Sequence, residues 1–255
     1  GFMAIKMLAS DLDKTLLRED KTVSPYSLDV LKRMREKGIL FTVATARPEY
    51  SVQRFLPELE YDCGVYHNGA LVDCFDGERL HSAMPAGKAL AISRAILKEQ
   101  PDAHVMVETS RIRYATFDAA ARWPGLDFEA WDLGEIREET AEKVLVFTAD
   151  GDLSPYQKHL DDSLYTQLSD GILCMIMHKD ARKLAGVEKV CRKKGIALQE
   201  VVAFGDDLTD REMLAGCGVG VAMANALDAV KAAADQVCLS NEEDGVARWI
   251  EENLL

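Results

Sequence analysis

Two hydrophobic rhythms run along the chain. Near both ends, apolar runs of strand length alternate with helix-length amphipathic segments. Residues 4–10 (AIKMLAS) read as a strand. Ser24-Pro25 forms an N-cap and first-turn pair, and the helical pattern behind it stops at Gly38. Residues 39–45 and 63–66 read as further strands, with a helix from Pro48 to about Glu58 between them. Beyond residue 180, helices over 181–194, 209–215, 226–233 and 243–253 alternate with strands over 201–205, 219–222 and 236–239. Continuous apolar strands between helices predict an α/β fold, a Rossmann-like doubly wound parallel sheet. The middle of the chain changes rhythm. Asp76-Gly77 and Asp170-Gly171 each lie between strand-like runs and read as two-residue hairpin turns. Strands over 104–108, 111–116 and 143–148 and helices over 86–99 and 154–162 complete an α+β module. The expected organisation is a discontinuous core, residues 1–82 and 180–255, with an inserted domain over 83–179.

Composition narrows the function classes. The 255 residues carry 43 acidic and 30 basic side chains, a net charge of −13. That argues against nucleic acid as a partner, since its binders present a basic face. Small anionic ligands stay open, because a few pocket cations suffice for them. The longest uncharged stretch, Met213 to Leu227, is 15 residues and is broken by Gly and Asn, too short to cross a bilayer. No charged segment followed by an apolar one opens the chain, and the six cysteines form no C-x-x-C pair. Reduced core thiols in a cytoplasmic protein are expected. Gly1-Phe2 ahead of Met3 reads as a remnant of expression.

The chemistry gathers at strand ends. In an open parallel sheet, ligands bind outside the C-terminal ends of the strands. Those ends offer Asp11, Asp13 and Thr15; Thr45 and Arg47; His67, Asn68 and Gly69; and Asp206, Asp207 and Asp210. Two unit charges 4 Å apart interact by roughly 4 kcal/mol at an effective dielectric of about 20. Converging aspartates therefore need protons or a cation. Hard oxygen ligands without nearby His or Cys favour Mg²⁺. Asp207 and Asp210, flanking a helix start, have the competing role of caps. Lys183 sits in a first helical turn, where the helix dipole favours anions. Beside a carboxylate-metal site it becomes a candidate phosphate ligand, with Lys179 as its competitor.

These segments resemble the haloacid dehalogenase (HAD) superfamily of phosphohydrolases, in particular its Cof-like group, whose large α/β cap lies between the second and third motifs. The first motif, hhhDxDxT, is "LASDLDKTL". The second is "TVATAR". The third fits Lys183 with "KLAGVEKVCRKKGI" following. The fourth, GDxxxD, is "FGDDLTDREML". "GVGVAMANA" and "EDGVARWI" also resemble the group's C-terminal signatures. The match runs in order along essentially the whole chain.

The resemblance implies a phosphatase of small phosphorylated metabolites, sugar phosphates first among them. It makes Asp11 the nucleophile of an aspartyl-phosphate intermediate and Asp13 the group that moves protons. Mg²⁺ would be held by Asp11, Asp206 and the Asp13 backbone. Thr45 and Lys183 would hold the phosphoryl oxygens, Asp210 would orient Lys183 or metal-bound water, and Asp207 and Thr209 would lie in the outer layer. Crowding by carboxylates is expected to raise the pKa of Asp13. Arg47 faces either substrate or a carboxylate, and Asn68 either contacts substrate or belongs to an Asn-Gly turn. Arg111, Arg113, His104, Glu108 and His178 are candidates for reading the leaving group, with a surface or strand-edge place as the commoner expectation. Two positions depart from the usual pattern: Ala46 stands where the second motif often has glycine, and Thr209 where the fourth often has asparagine. Both touch substrate identity more than reaction type. A phosphomutase or phosphotransferase, and a non-catalytic phospho-ligand binder, are the alternatives. The substrate and the oligomeric state stay open.

Overall fold

The apolar run ahead of Asp11 forms a fully buried strand, β1 (Met7–Ser10), in the computed structural model, which describes residues 4–255. Gly1-Phe2 lies outside the described residues. A helix α1 (Pro25–Glu36) follows, started by Ser24, whose hydroxyl accepts the Ser27 N–H at 3.0 Å. Then come β2 (Leu40–Ala44), α2 (Glu49–Phe55), β3 (Cys63–Tyr66), β4 (Leu71–Asp73) and β5 (Arg79–His81). The middle of the chain supplies β6 (Met84–Pro85), α3 (Ala86–Glu99), β7 (Val105–Glu108), β8 (Arg113–Ala115), α4 (Ala119–Arg122), β9 (Glu129–Ala130), β10 (Thr140–Ala141), β11 (Lys143–Phe147), α5 (Ser154–Gln157), β12 (Leu164–Ser169) and β13 (Leu173–His178). The last third adds α6 (Lys183–Lys194), β14 (Val201–Gly205), α7 (Arg211–Gly216), β15 (Val219–Ala222), α8 (Asp228–Ala233), β16 (Gln236–Val237) and α9 (Gly245–Asn253).

The chain divides into two compact units. One comprises the residues through Leu80 together with Arg182–Leu255; the other is His81–Ala181. In the first unit eight strands form a sheet ordered β16-β15-β14-β1-β2-β3-β4-β5. The pairs from β16 to β3 are parallel, and β3 with β4 is antiparallel. Its core is built from β1, β2 and β14 side chains such as Met7, Leu8, Phe41, Val43, Val202 and Phe204, closed by Leu31 and Met34 of α1 and Ile250 of α9. In the second unit six strands are ordered β12-β13-β11-β7-β8-β9, and Val105, Val107, Val144, Val146 and Ile176 pack with Ile92 and Ile96 of α3.

Several expectations change. Asp170 and Gly171 do form a tight turn, both with positive φ, closed by the Ile172 N–H onto the Ser169 carbonyl. The Asp76-Gly77 connection is longer than two residues, running from Cys74 to Glu78 between β4 and β5. Side chains supply its bends: Asp73 accepts the Phe75 N–H and Asp76 accepts the Glu78 N–H. The helix expected over 154–162 ends at Gln157, and Asp161 then takes the Ser163 N–H in a turn that competes with helix. Cys63 and Cys74, neighbours across β3 and the end of β4, are joined by a disulfide, whereas six reduced thiols were expected. No helix among the described residues is long and apolar enough to cross a membrane.

Candidate active site

Strand register brings the acidic motifs together. Ser10 at the end of β1 lies opposite Phe204 of β14 on one side and Val43 of β2 on the other. Asp11, Asp206 and Thr45 therefore emerge at the C-terminal ends of three adjacent parallel strands. After Asp11, Leu12–Leu16 makes one wide turn, in which the Leu17 N–H reaches the Leu12 carbonyl at 2.9 Å. Leu12, Leu16 and Leu17 are buried in the core and fasten this turn below, while Lys14 takes a left-handed conformation at its crest, φ 60°.

Asp11, Asp206 and Asp210 place one carboxylate oxygen each within 4.8 Å of one another, and all three are buried. Lys183 is equally buried and bridges two of them, with Nζ 3.1 Å from Asp11 Oδ1 and 2.7 Å from Asp210 Oδ1. Thr15 joins the third: its hydroxyl lies 2.9 Å from Asp206 Oδ1 and 3.3 Å from Asp11 Oδ2. Asp210 uses its other oxygen for the backbone N–H groups of Asp206 and Asp207 at 3.0 and 3.1 Å.

Two glycines make this convergence possible. A Cβ on Gly205 would fall 2.4 Å from Cβ of Asp210, so only glycine lets that aspartate fold back against β14. A Cβ on Gly69, at φ 108°, would fall 2.2 Å from the Arg182 carbonyl. The His67-Asn68-Gly69 turn thus packs directly against the start of the helix that carries Lys183.

Burial and then the Asp210 charge push Asp11 well above the usual carboxylate range, with Lys183 offsetting part of the rise. Burial pushes Asp206 up to about 6. Burial alone would lower the Lys183 ammonium, but Asp11 and Asp210 outweigh it and hold its pKa above the lysine range. Three carboxylates thus share one lysine, and two of them are pushed toward protonation. An all-oxygen donor set short of positive charge fits a hard divalent cation.

Asp13 behaves otherwise than expected. Arg47 grips it with two bonds, Nε to Oδ2 at 2.8 Å and Nη2 to Oδ1 at 2.7 Å. Burial would raise the Asp13 pKa, but the Arg47 bonds and charge outweigh it and lower it. The rise expected from crowding does not appear: Arg47, with smaller help from Lys21 and Lys183, sets the direction. Of the two positions left open for Arg47, the structure takes the carboxylate.

The other residues are placed as follows. Thr45 is buried and its hydroxyl accepts the Arg47 N–H at 3.0 Å. Asn68 is buried in the left-handed region, φ 59°, and its N–H reaches the Thr45 carbonyl at 2.9 Å. Asp207 turns to its own loop and caps the Leu208 N–H at 2.8 Å, and Thr209 is half-buried on the same turn. Lys179 is exposed on a turn of the second unit. Among the second-unit candidates, Arg113 and Glu108 are buried and paired at 3.3 Å, contrary to a surface place. Lys143, which the sequence reading passed over, lies 3.6 Å from the same Glu108. His104 stacks on Phe117, His178 accepts the Asp180 N–H, and Arg111 is exposed. Thr15 received no role from the sequence reading, although it is the last letter of hhhDxDxT.

The family model of the haloacid dehalogenase-like hydrolases matches residues 8–250. This chain belongs to that family. HAD relatives include the Bacillus subtilis 5-amino-6-(5-phospho-D-ribitylamino)uracil phosphatase YitU, 28% identical over 96% of each chain. The Escherichia coli pyridoxal phosphate phosphatase YbhA is 29% identical, covering 99% of this chain and 100% of its own. An HMP-PP phosphatase of Klebsiella pneumoniae is 28% identical, covering 89% and 87%. The fold matches that of a solved HAD-like hydrolase from B. subtilis with a TM-score of 0.86, covering 98% of this chain and all of the other at 24% identity. One from Bacteroides thetaiotaomicron gives 0.84, covering 97% and 99%, also at 24%. As a HAD hydrolase with phosphatase relatives, the chain is an enzyme of the phosphatase class.

Proposed function

We propose that the chain is a Mg²⁺-dependent phosphomonoesterase that hydrolyses a small phosphorylated metabolite through an aspartyl-phosphate on Asp11. The observation that carries this reading is Lys183, fully enclosed yet bonded to Asp11 and Asp210. It holds the Asp11 carboxylate in one orientation and sets an ammonium where phosphoryl oxygens would lie. Asp210 has both oxygens engaged and serves to orient Lys183. That leaves the Asp11 and Asp206 carboxylates, with the Asp13 carbonyl, to hold Mg²⁺, which when bound offsets the charge of the incoming phosphate. The Thr45 oxygen accepts from Arg47 and keeps its own O–H to donate to a phosphoryl oxygen.

Asp11 attacks phosphorus and the leaving oxygen departs with a proton. Water then cleaves the acyl phosphate and frees Asp11. Asp13, held ionised by Arg47, suits the second step, in which it takes a proton from water. To serve as acid in the first step, Asp13 must first take up a proton, which requires the Arg47 pair to loosen as the phosphate arrives. Asn68, Asp207 and Thr209 frame the site without a chemical step of their own.

Sugar phosphates head the substrate class. The phosphates of the uracil and pyridoxal compounds in the names of YitU and YbhA stand beside them. The test is a screen of phosphorylated metabolites of both kinds with Mg²⁺ in ¹⁸O-water. Hydrolysis places one labelled oxygen in each released phosphate. Transfer of the phosphoryl group to a second sugar, without label in phosphate, makes the chain a phosphotransferase instead. Binding without turnover across the screen overturns the enzymatic reading.

A further inference from the structure

The turn that presents Asp11 and Asp13 is held from outside by side chains that belong to none of the four motifs. Its crest is the Lys14 carbonyl, displayed by a left-handed residue that carries a side chain. The Asn225 side-chain amide donates to that carbonyl at 2.9 Å. Asn225 Oδ1 accepts the Asn241 N–H at 3.1 Å. The Asn241 side-chain amide in turn donates to the Leu17 carbonyl, at the far end of the same turn, at 3.0 Å, and to Glu19 Oε1 at 3.1 Å. Two asparagines therefore form one relay that fixes the turn at its crest and at its exit. Each amide uses both its nitrogen and its oxygen, or its backbone, so the orientation is set by the network.

The segment carrying Asn225 also holds the other acidic loop. The Leu227 N–H reaches the Asp206 carbonyl at 3.1 Å, and the Met223 N–H reaches that of Gly205 at 3.1 Å. One short connection, between β15 and α8, thus touches both aspartate-bearing segments: the Asp206 loop through backbone and the Asp11 turn through Asn225.

We infer that Asn225, backed by Asn241, is a positioning residue that holds the Asp11–Asp13 turn in register with Asp206, resting on the phosphatase reading above. It touches neither substrate nor the reacting atoms. Its effect is on the spacing of two carboxylate-bearing segments, and small misplacements there lower turnover rather than binding. Asn225 is exposed, so trimming it opens no cavity, whereas Asn241 is buried and its loss would also weaken the fold.

The test compares Asn225→Ala and Asn225→Asp with wild type, using p-nitrophenyl phosphate and Mg²⁺ for turnover and backbone hydrogen exchange for the turn. Asn225→Asp keeps an oxygen for the Asn241 N–H, removes the donor to Lys14 and adds a negative charge there that Asn225→Ala does not. Both variants are expected to lower kcat about tenfold, the scale of one lost hydrogen bond, with KM changed by less than about twofold. Exchange at Leu16 and Leu17 is expected to quicken while β1 stays protected, and melting temperature is expected to hold. Unchanged kcat, unchanged exchange in the turn, or a loss of kcat matched by general loss of protection each overturn the role. Exchange is read without substrate. A wild type that turns over no phosphate ester therefore counts against the phosphatase reading alone.

Discussion

Both units bury a cluster of charge, and the two clusters are built in opposite ways. In the first unit three carboxylates, Asp11, Asp206 and Asp210, gather round one lysine. In the second unit one carboxylate, Glu108, lies between two cations, Arg113 and Lys143, with every member less than a tenth exposed. The first cluster is costly to the fold: burial and mutual repulsion push Asp11 and Asp206 upward. It is assembled by glycine at 205, a buried hydroxyl at 15 and a bridging lysine, and the proposed function makes it a receptacle for a cation and a phosphate. The second cluster comes from three neighbouring strands, β7, β8 and β11, whose register sets Glu108 opposite both Arg113 and Lys143. Opposite charges paired across neighbouring strands support the sheet. Breaking the first cluster should cost chemistry, and breaking the second should cost stability.

The largest effect is expected at Asp11. Asp11→Asn removes the proposed nucleophile and should lower kcat by about ten-thousand-fold, as losses of covalent nucleophiles do. Melting of the metal-free protein should not fall, because the change removes a repelling charge. A variant that keeps more than about a tenth of wild-type turnover ends the covalent reading. Next comes Glu108→Gln, which strips the shared carboxylate from Arg113 and Lys143. Denaturant titration should show a loss of about 3 kcal/mol, the usual cost of leaving buried charge uncompensated. A loss under about 0.5 kcal/mol would mean the trio is not a structural element.

The smallest effect is a pH slope. Asp206 has a folded pKa raised to about 6, against an ordinary aspartate value of about 4 in the unfolded chain. A raised folded value means the folded state holds the proton more tightly. Its contribution to stability is present below the unfolded pKa and is lost as pH rises through about 6. Metal-free wild type should therefore lose stability between about pH 4 and pH 7, and Asp206→Asn should lose less over that range. Equal slopes for the two proteins would remove Asp206 from the strained cluster.

The contrast also explains what could be read in the chain beforehand. The first cluster is carried by motif spacing, Asp-x-Asp at the end of one apolar strand and Gly-Asp-Asp-x-x-Asp at the end of another, so its carboxylates and the strands presenting them are visible in the letters. Lys183 stands out through its awkward place in a first turn. Pairings between distant segments are less visible. Nothing local says that Arg47 reaches back 34 residues to Asp13, reversing the expected direction of its pKa. Nor does anything local bring Lys143 to Glu108, since both depend on strand register. Cys63 and Cys74 looked like ordinary core thiols because their approach is set by the β3–β4 pairing. Asp207 turned out to cap its own turn, a role that short polar side chains at helix starts commonly take.

On the proposed function, the Asp11–Asp206 pair is completed by a divalent cation before it can work. The direct measurement is phosphate release by chelator-treated protein as Mg²⁺ is restored, run on wild type and Asp206→Asn. The expected result is a silent metal-free wild type, turnover that rises saturably with Mg²⁺, and an Asp206→Asn variant that needs at least about tenfold more Mg²⁺ or stays silent. Full turnover of the metal-free wild type, or an Mg²⁺ response unchanged by Asp206→Asn, would contradict it.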